Sequence, residues 1–463
     1  AQEQGIAYER HIPSSPDEAN ALYARMLDVE SRSWKGQQNS GISETPSKEF
    51  YHAMMHRLAV GPQAGCARVM FATHEGRDIG FIFGSLSGGD LTYSISDTRA
   101  FKEYASNISI IEIGSGVTQI GYKAFDKADK VQKVILGASV RQIGYFAFSD
   151  CTELTQVDFG TGVTQIGDYA FSGCTKLTDV NLDGNITEIG GYVFSGCTSM
   201  KSAYLGSSIQ QMGNCVFDGC TALNDLRIAC NVGEASLYNI SSLDTIVLED
   251  TVRSLASKAF KDCTSLQNIT FSQELSYIGD YAFSGCTKLQ EILLPDSVTG
   301  IGGHAFDGCT AVVRAYIGPG VTEMGEQIFG GCSALKKLEC HSSIGSSSFK
   351  DCATLESVTL GATVSTIGDQ AFYGCKALTE LIVPEGVTHI YARAFYNCEA
   401  MRKLSLPSTL NSVGSEFFFG TKSLKSFLYS GTNAEWTKVE KEEDWNKNEV
   451  GCITWISEFE KKN

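Results

Sequence analysis

Apolar residues recur along this chain at a spacing of 23 positions. In the segment Leu154 to Cys174, the apolar order Leu154, Val157, Phe159 alternates with polar Gln156 and Asp158, which predicts a short strand with one face turned inward. A turn follows, then Val163, Ile166, Ala170, Phe171 and Cys174. Their spacing predicts an extended piece and one helical turn that brings Phe171 and Cys174 beneath the strand. The pattern returns fifteen times between residues 94 and 430. Eleven units carry a marker cysteine: Cys151, Cys174, Cys197, Cys220, Cys263, Cys286, Cys309, Cys332, Cys352, Cys375 and Cys398. Ala105, Ala128, Ile240 and Thr421 hold the same place in the other four. Two steps have 20 residues, into Ile240 and into Cys352, and a local change of curvature is expected at each.

The remaining columns keep the same register. From Ile120 to Val413 an apolar residue stands eight before every marker, and from Phe125 to Phe418 Phe stands three before it, except at Leu237. Seven before it is Gly, apart from Ala256 and Tyr391, which predicts a tight bend or a positive φ there. One coil of this length cannot bury its own apolar face, so neighbouring coils must stack. The expected fold is an α/β solenoid of about fifteen coils with a parallel sheet of strands about 4.8 Å apart.

The first ninety residues lie outside the repeat. Ser15 to Trp34 has helical periodicity, opened by the capping run Ser15-Pro16-Asp17-Glu18, and Ser47 to Leu58 reads as a second helix. Cys66 to Thr73 and Ile79 to Leu86 read as a hairpin turning at His74 to Asp78. The chain therefore divides into a small α/β segment over 1–92, the solenoid over 93–430 and a C-terminal cap over 431–463. Segment 1–92 is too small for a large core of its own and is expected to cap the first coil.

The recurrent frame I-G-x-x-A-F-x-G-C-x-x-L-x-x-V-x-L, which Ile166 to Leu182 fill and Ile278 to Leu294 follow, resembles the BspA-like class of bacterial leucine-rich repeats. Tyr429-Ser-Gly431-Thr432-Asn-Ala-Glu435-Trp436 is similar to that family's closing segment. The resemblance implies a curved solenoid, commonly a surface or secreted protein used in adhesion and protein binding. The first segment resembles part of a GNAT-like acyltransferase of the FemAB group, through Glu30 to Gly36, Phe50-Tyr51, Ala67 to Ala72 and Gly76 to Gly80. That resemblance implies an acyl-CoA site, yet no Q/R-x-x-G-x-G/A phosphate cradle appears at the junction with the repeats. The segment is read as a partial domain serving as a cap; the alternative is retained acyl-CoA-dependent activity that the repeats target.

A formal charge of -16 leaves no basic stripe for phosphates and argues against a nucleic-acid partner, and no apolar run approaches the length of a membrane span. No leader precedes Ala1: a signal peptide was removed or none existed, so both the secreted and the cytoplasmic compartments stay open. The marker cysteines sit in a core register beside Phe, which fits buried reduced thiols better than disulfides. Cys340 takes a strand-core slot, while the states of Cys66, Cys215, Cys230 and Cys452 are left open. His52 and His56 lie four apart without a third ligand, so no metal, cofactor or catalytic set is expected.

Function is therefore sought on the outward strand positions. One column reads Glu112, Ile135, Asp158, Asn181, Tyr204, Arg227, Val247, Thr270, Leu293, Tyr316, Glu339, Thr359, Ile382, Ser405 and Leu428, and its neighbour includes Arg314 and Lys337. A solvated face would show scattered charge. The sharper reading takes Tyr204, Arg227, Val247, Leu293, Arg314, Tyr316, Lys337 and Glu339 as a binding surface for a protein or peptide on the concave sheet, since Tyr, Arg and exposed apolar residues mark interfaces.

Overall fold

The computed structural model describes residues 6–11, 17, 21, 24–25, 68–74, 77–87, 90–95, 109–113, 117–446 and 452–455. The chain forms two compact units, Ala1–Leu223 and Asn224–Asn463. Both are built from the same coil: a long strand, a two-residue strand and a run of turns that returns to the next long strand.

In the first unit the long strands include Ile110–Ile113, Lys133–Leu136 and Gln156–Asp158, then Asp179–Leu182 beside Ser202–Leu205, all parallel. The short strands stack Ile120 on Ile143, Ile166, Ile189 and Met212 in register. The described N-terminal strands extend this row. Ile6–His11, Arg68–His74, Arg77–Ser87 and Asp90–Ile95 pair antiparallel in that order, and Ser94 and Ile95 then pair parallel with Gln119 and Ile120. The expected hairpin is therefore present. Ile6–His11 is a strand that periodicity missed, and Asp90–Ile95 leads from the antiparallel strands into the stack. Asp17, Ala21, Ala24 and Arg25 are helical; the rest of the first expected helix and all of the second lie outside the described residues.

In the second unit the long row runs from Asp225–Ile228 through Thr245–Leu248, Asn268–Thr270, Glu291–Leu293, Arg314–Ile317, Lys337–Cys340, Ser357–Leu360, Glu380–Ile382 and Lys403–Leu406 to Ser426–Tyr429. Cys452–Trp455 adds one more parallel rung. The closing helix Asn433–Trp436 is held by a capping box between Thr432 and Glu435, and Trp436 is buried against Phe427 and Tyr429, with ring centroids 5.4 and 5.0 Å away. At the two 20-residue steps the short strand shrinks to a single bridge, Val232 to Leu255 and Ile344 to Ile367.

The core follows the columns. Phe148 and Phe171 are fully buried and stack at 5.1 Å, as Phe283 and Phe306 do at 5.4 Å. Burial of each such side chain contributes about 1.5–3 kcal/mol. The marker cysteines lie in the same core, and each thiol donates to the carbonyl of a buried residue in the preceding coil, as Cys174 does to Phe148 at 3.2 Å and Cys286 to Phe260 at 3.3 Å. All fourteen cysteines whose side chains are described are free, and all are buried except half-buried Cys215. Burial pushes the Cys309 and Cys398 thiols up to about 12, so they stay protonated and unreactive at neutral pH.

One local expectation is corrected and another narrowed. The return path is a run of turns and not a helical turn, because its N–H groups alternate between partners. Tyr169, Phe171 and Gly173 donate to Gly191, Val193 and Ser195 of the next coil, while Ala170, Ser172 and Cys174 close turns within their own. This alternation places a non-glycine residue at positive φ five before every marker, from Lys123 to Glu416, with φ between 47 and 59°. The glycine seven before the marker opens a tight turn, as where Ala170 donates to Gly167, but is not at positive φ. It is needed for close approach: a Cβ on Gly213 would lie 2.3 Å from the Gly191 nitrogen.

Candidate ligand-binding strand face

The outward column lies on long strands throughout, and its members stand opposite one another in the described pairings. In the first unit Asn181 faces Tyr204, which is half-buried. In the second unit Arg227 faces Val247, and Val247 faces Thr270. Leu293, Tyr316, Glu339 and Thr359 follow one another in register, with Arg314 opposite Lys337 in the adjoining column. Five of the eight expected residues, Leu293, Arg314, Tyr316, Lys337 and Glu339, are thus brought together on three successive strands. Arg227 and Val247 form a separate pair, and Tyr204 belongs to the other unit.

The side chains differ in how freely they stand. Arg227 is committed to Glu249 at 2.8 Å, and Val247 is half-buried. Leu293 is 42% exposed and Ile382, in the same column, 62%. Tyr316 donates its hydroxyl to Asp296 at 2.9 Å, a bond that raises its pKa above the ordinary phenol value. The ring of His341 lies 5.7 Å from that of Tyr316, and His341 Nε2 is 2.9 Å from Glu339 Oε1, its N–H donating to the carboxylate. Arg314 and Lys337 are exposed.

Asp296 and His341 were not among the expected site residues. Both stand just past the end of a strand, outside the column used to find the face, and His341 reads in sequence as a single repeat substitution. Among the described residues no group of three or more His, Cys, Asp or Glu is arranged to hold a metal, and no helix is long and apolar enough to cross a membrane. His52 and His56 lie outside the described residues, as do the side chains of Cys66 and Cys452.

A BspA type leucine rich repeat region model matches six copies over residues 94–224, 230–344 and 339–439, and an acetyltransferase (GNAT) domain model matches residues 1–103. A solved leucine-rich repeat protein from Bacteroides ovatus ATCC 8483 is 26% identical, covering 81% of this chain and 98% of its own, with a TM-score of 0.58. A leucine rich cell surface protein from Faecalibacterium prausnitzii A2-165 is 22% identical over 78% of this chain and 96% of its own, with a TM-score of 0.35. A search of curated proteins returns no match. With the repeat model matched over most of its length, the chain belongs to the BspA-type leucine-rich repeat family.

Proposed function

We propose that this is a non-enzymatic binding or adhesion protein that holds a protein or peptide on its long-strand face, at a cell surface or after secretion, with the first and last segments capping the stack. The observation that carries this reading is the contrast between the two sides of each long strand. The inward column is apolar throughout and buried on most strands, with Val157, Ile269, Val358 and Leu360 half-buried, while the outward column varies from coil to coil and leaves Leu293 and Ile382 exposed to water. Proteins retained by the full chain in a pull-down are expected to bind Tyr316→Ala and Arg314→Ala more weakly at unchanged melting temperature. Unaltered binding by both variants would count against the strand face.

The acetyltransferase match over residues 1–103 favours a second reading, in which the first segment retains acyl-CoA-dependent activity and the repeats target it. Calorimetric titration with acetyl-CoA separates the two. Absence of both heat and a thermal shift removes the second.

A further inference from the structure

The chain uses its coil register to set cations beside acids. Lys176 pairs with Glu153 at 2.6 Å, Lys422 with Glu399 at 2.9 Å and Arg393 with Glu416 at 2.8 Å, each partner one coil away. Arg314 and Lys337 break that habit. They stand directly opposite each other on adjacent strands, and among the described register pairs of the coils no other sets two like charges face to face. Both are exposed, Lys336 beside them is exposed as well, and none of the three has an ion pair among the described residues. Like charges in opposed strand positions cost stability. In a chain with 53 acidic residues against 37 Lys and Arg, acids to neutralise them were plentiful.

Glu291 faces Arg314 in register on its other side without forming an ion pair with it, and the two other acids nearby are occupied elsewhere. Asp296 accepts the Tyr316 hydroxyl and Glu339 accepts from His341, so neither is spent on the cations. Apolar surface adjoins the pair: Leu293 and Val313 are each 42% exposed. We propose that Arg314 and Lys337 form a carboxylate-reading site for an acidic protein segment, with Leu293 and Val313 receiving an apolar side chain of that segment. This rests on the strand-face reading above and names the chemistry of its partner. An arginine fork takes one carboxylate in a bidentate bond while the lysine adds a point charge. A polyphosphate strand fits poorly, because a continuous line of phosphates would run past the cations onto Glu291, in register with Arg314, and Glu356, bonded through its backbone to Lys336, whereas a single carboxylate needs only the cations.

The test uses the full chain, a fluorescein-labelled peptide of alternating Glu and Leu, and its counterpart with Gln for every Glu, read by fluorescence anisotropy. The wild type should bind the Glu peptide about ten-fold or more tightly than the Gln peptide. The double variant Arg314→Glu, Lys337→Glu should lose that preference, and the matched reversal Lys258→Glu, Lys438→Glu should keep it. The single variant Lys337→Glu, which turns the like-charge pair into an ion pair, should lose the preference while melting no lower than the wild type. Equal losses in both double variants, equal affinity for the two peptides, or tighter binding of heparin or an oligothymidylate than of the Glu peptide would each overturn the proposal. Leu293→Ser with Ile382→Ser separates the two levels. If it abolishes binding while charge reversal changes nothing, the strand face stands and the carboxylate site falls; if neither set matters, both fall.

Discussion

Regular and shortened coils solve the same bonding problem by different means. In a regular coil of the second unit the Ser276 carbonyl accepts the backbone N–H groups of Thr299 and Gly300 from the next coil, at 2.8 and 3.2 Å. Where three residues are missing, the Asn231 side-chain oxygen takes over, accepting from Arg253 and Ser254 at 2.8 and 3.0 Å. Ser343 does the same at the other shortened coil, accepting from Ser365 at 3.1 Å. The stack therefore demands an acceptor at a fixed place and tolerates a change in how the chain supplies it.

The core should make the larger demand. Phe283, fully buried between Phe260 and Phe306, should lose about 3–5 kcal/mol on Phe283→Ala, and Leu237→Ala in the shortened coil about 2–5 kcal/mol, both read by urea unfolding. A much smaller loss at Leu237 would mark the shortened coil as loosely packed and break the equivalence. Next comes the substituted acceptor. Asn231→Ala leaves two solvent-accessible backbone N–H groups to water and should cost about 0.5–1.5 kcal/mol, with faster amide exchange at Arg253 and Ser254, while Asn231→Asp keeps most of the stability. Ser343→Ala frees one exposed N–H to water and should cost roughly 0.5 kcal/mol.

The smallest effect concerns a side-chain acceptor in a regular coil. Burial pushes the Glu385 carboxyl up, but hydrogen bonds from Ser430 and Ser408 outweigh it and hold the group below the ordinary carboxylate value. Its contribution is present above the unfolded value and is lost as pH falls through the folded one. A melting-temperature series into acid should show a shallower fall for Glu385→Gln than for the wild type.

The period made the long strands and their register legible, because Leu, Val and Phe repeat wherever a side chain must enter the core. The turns were not legible. Tyr169 and Phe171 look like residues of a helical turn until their N–H groups are traced to Gly191 and Val193, partners that belong to another coil. The role of Asn231 was hidden for the same reason, since it replaces a bond between coils. On the candidate face, Leu293, Arg314, Tyr316, Lys337 and Glu339 could be read from their column. Asp296 and His341 could not, because they act from beyond the strand ends.

The column at positive φ has a further consequence. Its fourteen occupants include Lys, Phe, Tyr, Cys, Ala, His, Gln, Ser, Arg and Glu, but no Val, Ile or Thr, as the crowding of a branched Cβ in that conformation requires. Every coil thus offers one address closed to branched residues and to proline, whose fixed φ and missing N–H do not fit, and open to many others. Phe146, Tyr169 and Tyr192 already use it for a column of rings 4.8 and 5.0 Å apart, parallel within 2°. Duplicating a coil copies the address and leaves the letter free, so the outer edge can be rewritten one coil at a time without touching the core.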